Sequence, residues 1–106
     1  MDRIASFRSF IARSPTDPFP RYGLAMEHKV RGELREAHAV FAELVTAFPD
    51  YVPAYLMAGE TLASLGKLDE AASLFERGIE VATRCGDAHA RTELEAARDK
   101  IEESRR

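Results

Sequence analysis

The chain contains no asparagine, no glutamine, no tryptophan and a single cysteine, Cys85. The missing amides exclude a recognition site built on side-chain carboxamides, which pair a donor and an acceptor in one planar group. One cysteine cannot form an internal disulfide. Met1-Asp2-Arg3 lacks the charged-then-apolar pattern of a secretory leader, so a cytoplasmic location is expected. No apolar run approaches the roughly 20 residues that span a bilayer, and no membrane role is expected. Nor is there a basic block: 15 basic and 18 acidic residues are interspersed, for a formal charge of −3. A phosphate backbone would find nothing to hold it, which argues against nucleic-acid binding. Arginine supplies 12 of the 15 basic residues. Coding bias is a better account of this than thermostability, because arginine-for-lysine replacement is an inconsistent thermophile signal.

What is present is enough apolar material for one modest core. At 106 residues and 45% hydrophobic content, a single domain is expected. The segment GELREAHAVF (Gly32 to Phe41) returns as GKLDEAASLF (Gly66 to Phe75) 34 residues later, with glycine, leucine, an acidic residue, alanine and phenylalanine in register. A recurrence at that interval marks a repeat architecture rather than a single-copy catalytic fold.

Glycine, proline and capping residues cut the chain into six helical segments, and none shows the strict alternation of a surface strand. The fold predicted is all-α. A first helix spans Asp2 to Arg13, with Ile4, Phe7 and Ile11 on one face and Phe10 widening the stripe, and Ser14-Pro15 ends it. A second starts after Thr16-Asp17 with Pro18 in its first turn and stops at Gly32. A third carries Leu34, Ala37, Phe41 and Leu44 to Phe48-Pro49. The next pair repeats the pattern, from Val52 to Leu65 and from Leu68 to Cys85, with Gly66 between. Gly86-Asp87 precedes a sixth helix with a single stripe of Ala90, Leu94, Ala97 and Ile101, which aligns with the preceding unit at a spacing one residue longer than 34.

The spacing resembles the tetratricopeptide repeat family, whose unit places a large residue, a small residue, an aromatic, then Ala-x-x-x-Phe and Pro. One unit reads Arg21, Leu24, Ala25, His28, Ala37, Phe41, Pro49; the next reads Tyr55, Ala58, Gly59, Leu62, Ala71, Phe75 and, in place of proline, Thr83. Arg21, His28 and Thr83 depart from the pattern. Phe7, Phe10, Ile11 and Pro15 precede Phe41, Leu44, Val45 and Pro49 by 34 residues, so the first helix resembles the second half of a repeat. The resemblance implies stacked antiparallel hairpins in a right-handed superhelix. Residues 1–15 would form a half-repeat, 16–51 and 52–85 two full repeats, and 86–106 a capping helix. Small residues at Ala25 and Gly59 would admit Phe41 and Phe75, and leucine at Gly59 should clash.

No catalytic constellation stands out. Gly59 and Gly66-Lys67-Leu68 make a poor phosphate loop, because six residues separate the glycines and Leu68 cannot ligate magnesium. His28, His38 and His89 lie on different helices without metal-pair spacing, and no cofactor or metal is expected. His28 reads as a packing histidine held by a backbone partner. Glu33, Glu36, Asp69 and Glu70 suit helix starts. Cys85 reads as a helix-terminal small residue.

In the family the first helix of each hairpin lines a concave groove that receives a peptide. Carried over, this implies a groove of Phe19, Tyr22, Met26 and Lys29, then Leu56, Glu60 and Ser64, with Arg91, Glu95 and Arg98 as a third wall. The expected function is that of a non-catalytic adaptor for a protein or peptide, with apolar burial over Tyr22, Met26 and Leu56 and arginine fixing register. The alternative is a self-associating module forming a weak homodimer. Family members that clamp chaperone tails use lysine and asparagine where Tyr22, Met26 and Met57 stand, and this chain has no asparagine, so that ligand is not expected.

Overall fold

The structure is a computed structural model that describes residues 2–105; Met1 and Arg106, the outer ends of the first and last segments, lie outside it. It contains α1 (Arg3–Arg13), α2 (Pro18–Val30), α3 (Leu34–Ala47), α4 (Pro53–Ser64), α5 (Leu68–Cys85) and α6 (Ala88–Ser104). No strand occurs among the described residues. Helices α2 and α3 form one hairpin and α4 and α5 a second, while α1 packs on α2 and α6 on α5. Helix α4 also touches α2 and α6, so α2, α4 and α6 share one side of the stack. Its extents, 45 × 30 × 19 Å, are those of a short solenoid.

Local chemistry explains the boundaries. The Asp17 carboxylate accepts a hydrogen bond from the Phe19 N–H at 3.0 Å, and Pro18 follows where a missing N–H costs nothing. The two hairpin turns are copies of each other. Gly32 and Gly66 take φ of 78° and 80°, a conformation that penalises any side chain with a Cβ. The Glu33 and Lys67 N–H groups then donate to the His28 and Leu62 carbonyls, both at 2.9 Å. The repeats differ at their ends. Pro49 follows α3 closely, whereas Thr83 stands in its place within α5 and donates its hydroxyl to the Ile79 carbonyl at 2.7 Å. Helix α5 therefore continues to Cys85, reaching 18 residues against 14 for α3.

Three rings hold the hairpins together: Phe41, Tyr55 and Phe75 are 0%, 1% and 2% exposed. Burial of each contributes about 1.5–3 kcal/mol. The Phe75 ring lies directly over Gly59, where a Cβ would collide with it. Gly78 plays the reciprocal part, since a Cβ there would lie 2.7 Å from the Tyr55 Cβ and 3.1 Å from both Leu94 methyls. Helices α4, α5 and α6 thus converge on one glycine. The Tyr55 hydroxyl donates to the Pro49 carbonyl at 2.6 Å and fixes α4 against the preceding turn. Burial raises its pKa.

Helix α1 departs from expectation. It has no buried residue, and Phe10, expected to extend the buried stripe, is 49% exposed. Leu44, at the same register of α3, is 0% exposed. Leu44 lies on a helix that has its hairpin partner in α2; among the described residues no helix precedes α1 to cover Phe10. Phe7 instead leans on α2, where only the absence of a side chain at Gly23 gives its ring room.

The other attachment of α1 is ionic. Arg31 reaches Asp2 at 2.6 Å and Glu27 at 2.9 Å, and Arg3 approaches Glu27 at 3.5 Å. Hydrogen bonding to Arg31 holds both carboxyls below their ordinary ranges. Carboxyls depressed in this way support docking at neutral pH and withdraw that support as pH falls through their lowered values. Acidification below about pH 4 is therefore expected to release α1 before the central hairpins. Hydrogen exchange at residues 4–13 would report the release against the amides of Phe41 and Phe75, and Arg31→Ala should abolish the early step.

Candidate functional site

The shared face of α2, α4 and α6 is a groove with two connected compartments. The smaller, about 300 Å³, lies between Tyr22, Pro53, Leu56 and Met57 on one side and His89, Ala90 and Glu93 on the other. The larger, about 750 Å³, runs along Lys29, Leu56, Glu60 and Ser64 toward Glu93, Ala97, Lys100 and Ser104, over a floor of Leu68, Phe75 and Ile101. Leu56 and Glu93 line both compartments and join them into one channel.

Of the residues expected to line a groove, those on α4 are brought together there: Leu56 is half-buried in the middle, Glu60 beside it and Ser64 exposed at the end. On α2, Tyr22 stands edge-on to Phe41 at 6.3 Å and to Tyr51 at 5.7 Å, both at 62°. It is a packing pillar with one side open to the smaller compartment, and burial raises its hydroxyl pKa. Lys29 lies 3.9 Å from Glu60 and links α2 to α4 across the groove. Met26 is half-buried against the core, and Phe19 is 61% exposed at the open edge.

The third wall requires correction. Arg91, Glu95 and Arg98 do not line the larger groove compartment. Arg91 lies 3.9 Å from Glu95, and Arg98 turns back to Glu76 of α5 at 3.2 Å. Helix α6 buries Leu94 and half-buries Ala90 and Ala97, which follow Ala58, Ala54 and Thr61 of α4 by 36 residues, not the 35 that the apolar stripe suggested. That register puts Arg91, Glu95 and Arg98 at the positions of Tyr55, Gly59 and Leu62, a face of α4 that α5 covers. No seventh helix follows among the described residues, so this face of α6 meets water and carries ion pairs, as a solenoid end does.

The groove side of α6 is the opposite flank, with His89, Glu93, Ala97 and Lys100. Sequence reasoning missed these four. The available signal was the proline that Thr83 replaces, which lets α5 run on and shifts all that follows. His89 Nε2 lies 3.2 Å from Glu93, and the Asp87 carboxylate is occupied by the Ala90 N–H at 3.0 Å. Lys100 has no carboxylate partner among the described residues, leaving one unpaired cation beside an apolar floor.

The remaining candidates are structural. His28 is 7% exposed, and its Nδ1–H donates to the Glu33 carboxylate at 3.0 Å, not to the backbone partner expected. This bond braces the first hairpin turn. No group of three His, Cys, Asp or Glu side chains is placed to hold a metal among the described residues, and Cys85 is exposed. A separate cleft of about 410 Å³ opens on the convex side between α3 and α5, which do not touch; Phe41, Ala58 and Leu62 floor it. None of the described helices is long and apolar enough to cross a membrane.

A family model described as tetratricopeptide repeat matches residues 31–99. The chain is 41% identical to the crystal structure of a tetratricopeptide repeat domain protein from Salinibacter ruber. The match covers 81% of this chain and 96% of that one, with a TM-score of 0.77. Two further structures share the fold at low identity. A protein from Bordetella parapertussis is 18% identical with a TM-score of 0.83, covering 98% of this chain and 90% of that one. The type III secretion translocator chaperone SycD of Yersinia enterocolitica is 16% identical with a TM-score of 0.86, covering 96% and 71%. No curated protein sequence matches. The repeated turns, the glycine-seated phenylalanines, the family model and the 41% identity agree: this chain belongs to the tetratricopeptide repeat family.

Proposed function

We propose that the chain is a non-catalytic interaction module that seats a peptide segment of a partner protein in the groove of α2, α4 and α6. The observation that supports this most is the continuity of the groove: an apolar floor of Leu56, Leu68 and Phe75 with the unpaired Lys100 on its wall. An apolar channel with few polar fixtures suits a ligand that buries side chains and is oriented by one or two charges. Lys100 would meet a ligand carboxylate, and Lys29 and Glu60, only 3.9 Å apart, would open to a ligand of either sign. Fold likeness to a secretion chaperone adds the precedent of the architecture alone.

Peptides selected from a random display library on the immobilised protein supply the test. Tyr22→Ala and Lys100→Glu should each weaken the selected peptides by about tenfold or more, a hot-spot effect, while helicity is retained. Arg91→Glu and Arg98→Glu should change affinity by less than about twofold, as expected of residues outside the contact. The reverse pattern would overturn the reading.

A further inference from the structure

The two ends of the stack are finished differently. At the C-terminal end the outward face of α6 carries Arg91, Glu95, Arg98 and Glu102, and no large exposed apolar side chain occurs there. At the N-terminal end α1 is the second half of a hairpin whose first helix is absent from the described residues. The position that Leu44 buries completely is Phe10 here, half-exposed in a shallow depression with Ser6, Ser9 and Arg13. Among the described residues the exposed large hydrophobic side chains, Phe10, Phe19 and Val30, all lie on α1 and α2.

Charge is divided along the same line. Residues 1–31 carry six basic and three acidic side chains, and residues 32–106 carry nine and fifteen, so the chain is +3 at one end and −6 over the rest. Helix α1 itself has Arg3, Arg8 and Arg13 and no acidic residue. Arg8 and Arg13 have no carboxylate partner among the described residues; the Arg13 guanidinium rests 4.9 Å from the Phe10 ring centroid. An exposed aromatic ring flanked by unpaired arginines is complementary to a negatively charged amphipathic helix.

We propose that the exposed flank of α1, at Phe10 and Arg13, is a second docking surface, and that its occupant is an acidic amphipathic helix of a partner protein. The partner's apolar stripe would cover Phe10, and its flanking carboxylates would pair with Arg8 and Arg13. Pairing with a second copy through the same face sets arginine against arginine and is disfavoured. The ion-paired outer face of α6 offers a second copy no apolar stripe to bury.

The test uses two labelled synthetic peptides of about 18 residues, or five helical turns, with the same leucine stripe and either glutamate or lysine on its flanks. The glutamate peptide should bind the full chain at least tenfold more tightly than the lysine peptide. Phe10→Ser and Arg13→Glu should each reduce that binding by about tenfold with the circular dichroism spectrum unchanged. Both sites are exposed and tolerant of these changes. Tyr22→Ala, which disables the groove, should leave it intact, so this proposal and the groove reading fail independently. Several outcomes overturn it: equal binding of the two peptides, no binding at about 100 µM, binding lost in Tyr22→Ala but kept in Phe10→Ser, or a self-association that Phe10→Ser abolishes.

Discussion

Replacing Phe75 with alanine should lower the free energy of unfolding by about 3–5 kcal/mol, the usual cost of emptying a ring-sized site in a core. Phe75 is 2% exposed, fills the space above Gly59 and forms part of the groove floor. A domain of this size has a total stability of about 5–15 kcal/mol, so the loss is a large fraction of it. At about 4–8 °C per kcal/mol the midpoint of thermal unfolding should fall by roughly 12–40 °C, readable by circular dichroism at 222 nm. In a stack whose units depend on their neighbours, α6 should become exchange-competent in the same variant, because it packs on the helix that carries Phe75.

The second large effect has the opposite geometry. Gly59→Ala adds a methyl group where the Phe75 ring already lies, and that ring is buried and cannot swing out to solvent. Overpacking of this kind costs about 1–3 kcal/mol. Helix propensity alone predicts a gain of about 1 kcal/mol from glycine to alanine, so the measured sign separates close packing from propensity. The pair can be cycled. In a Phe75→Ala background the methyl meets no ring, and Gly59→Ala should become neutral or stabilising; the coupling energy, about 2 kcal/mol or more, is then the contact itself. Additive effects would mean that Phe75 does not sit on Gly59.

Much of this fold was legible in the sequence because its determinants are local and repeat. Gly32 and Gly66 mark left-handed turns, Pro18 and Pro53 mark helix starts, and Phe41 and Phe75 follow each turn at the same interval, so the hairpins could be placed from spacing alone. Gly78 was not anticipated as a meeting point of three helices. The signal was present, since a glycine inside a helix carries a cost that close packing must offset. Gly23 is of the same kind, and recognising it required knowing that Phe7 turns to α2.

The groove was half legible. Of the residues that the resemblance implied, Leu56, Glu60 and Ser64 on α4 and Tyr22 and Lys29 on α2 line the two compartments, whereas Phe19 and Met26 do not. On α6 the register was out by one residue, and in a helix one residue is about 100° of rotation, enough to exchange a groove wall for a solvated face. Substitution of Pro49 by its counterpart Thr83 extends α5 and moves α6 relative to the repeat. Distances along a chain do not report such a rotation until the packing partner, here Gly78 under Leu94, is known. The same rotation explains why Arg91, Glu95 and Arg98 are ion-paired outside while Lys100 stands unpaired within.

The most direct test of the groove is chemical-shift mapping of the isotope-labelled chain titrated with a library-selected peptide. The account predicts perturbations along Tyr22, Leu56, Glu60, Glu93 and Lys100, with Arg91, Glu95 and Arg98 unmoved, as well as Ser73 and Arg77, which line the α3–α5 cleft. Perturbations confined to the outer face of α6 or to the α3–α5 cleft would contradict it.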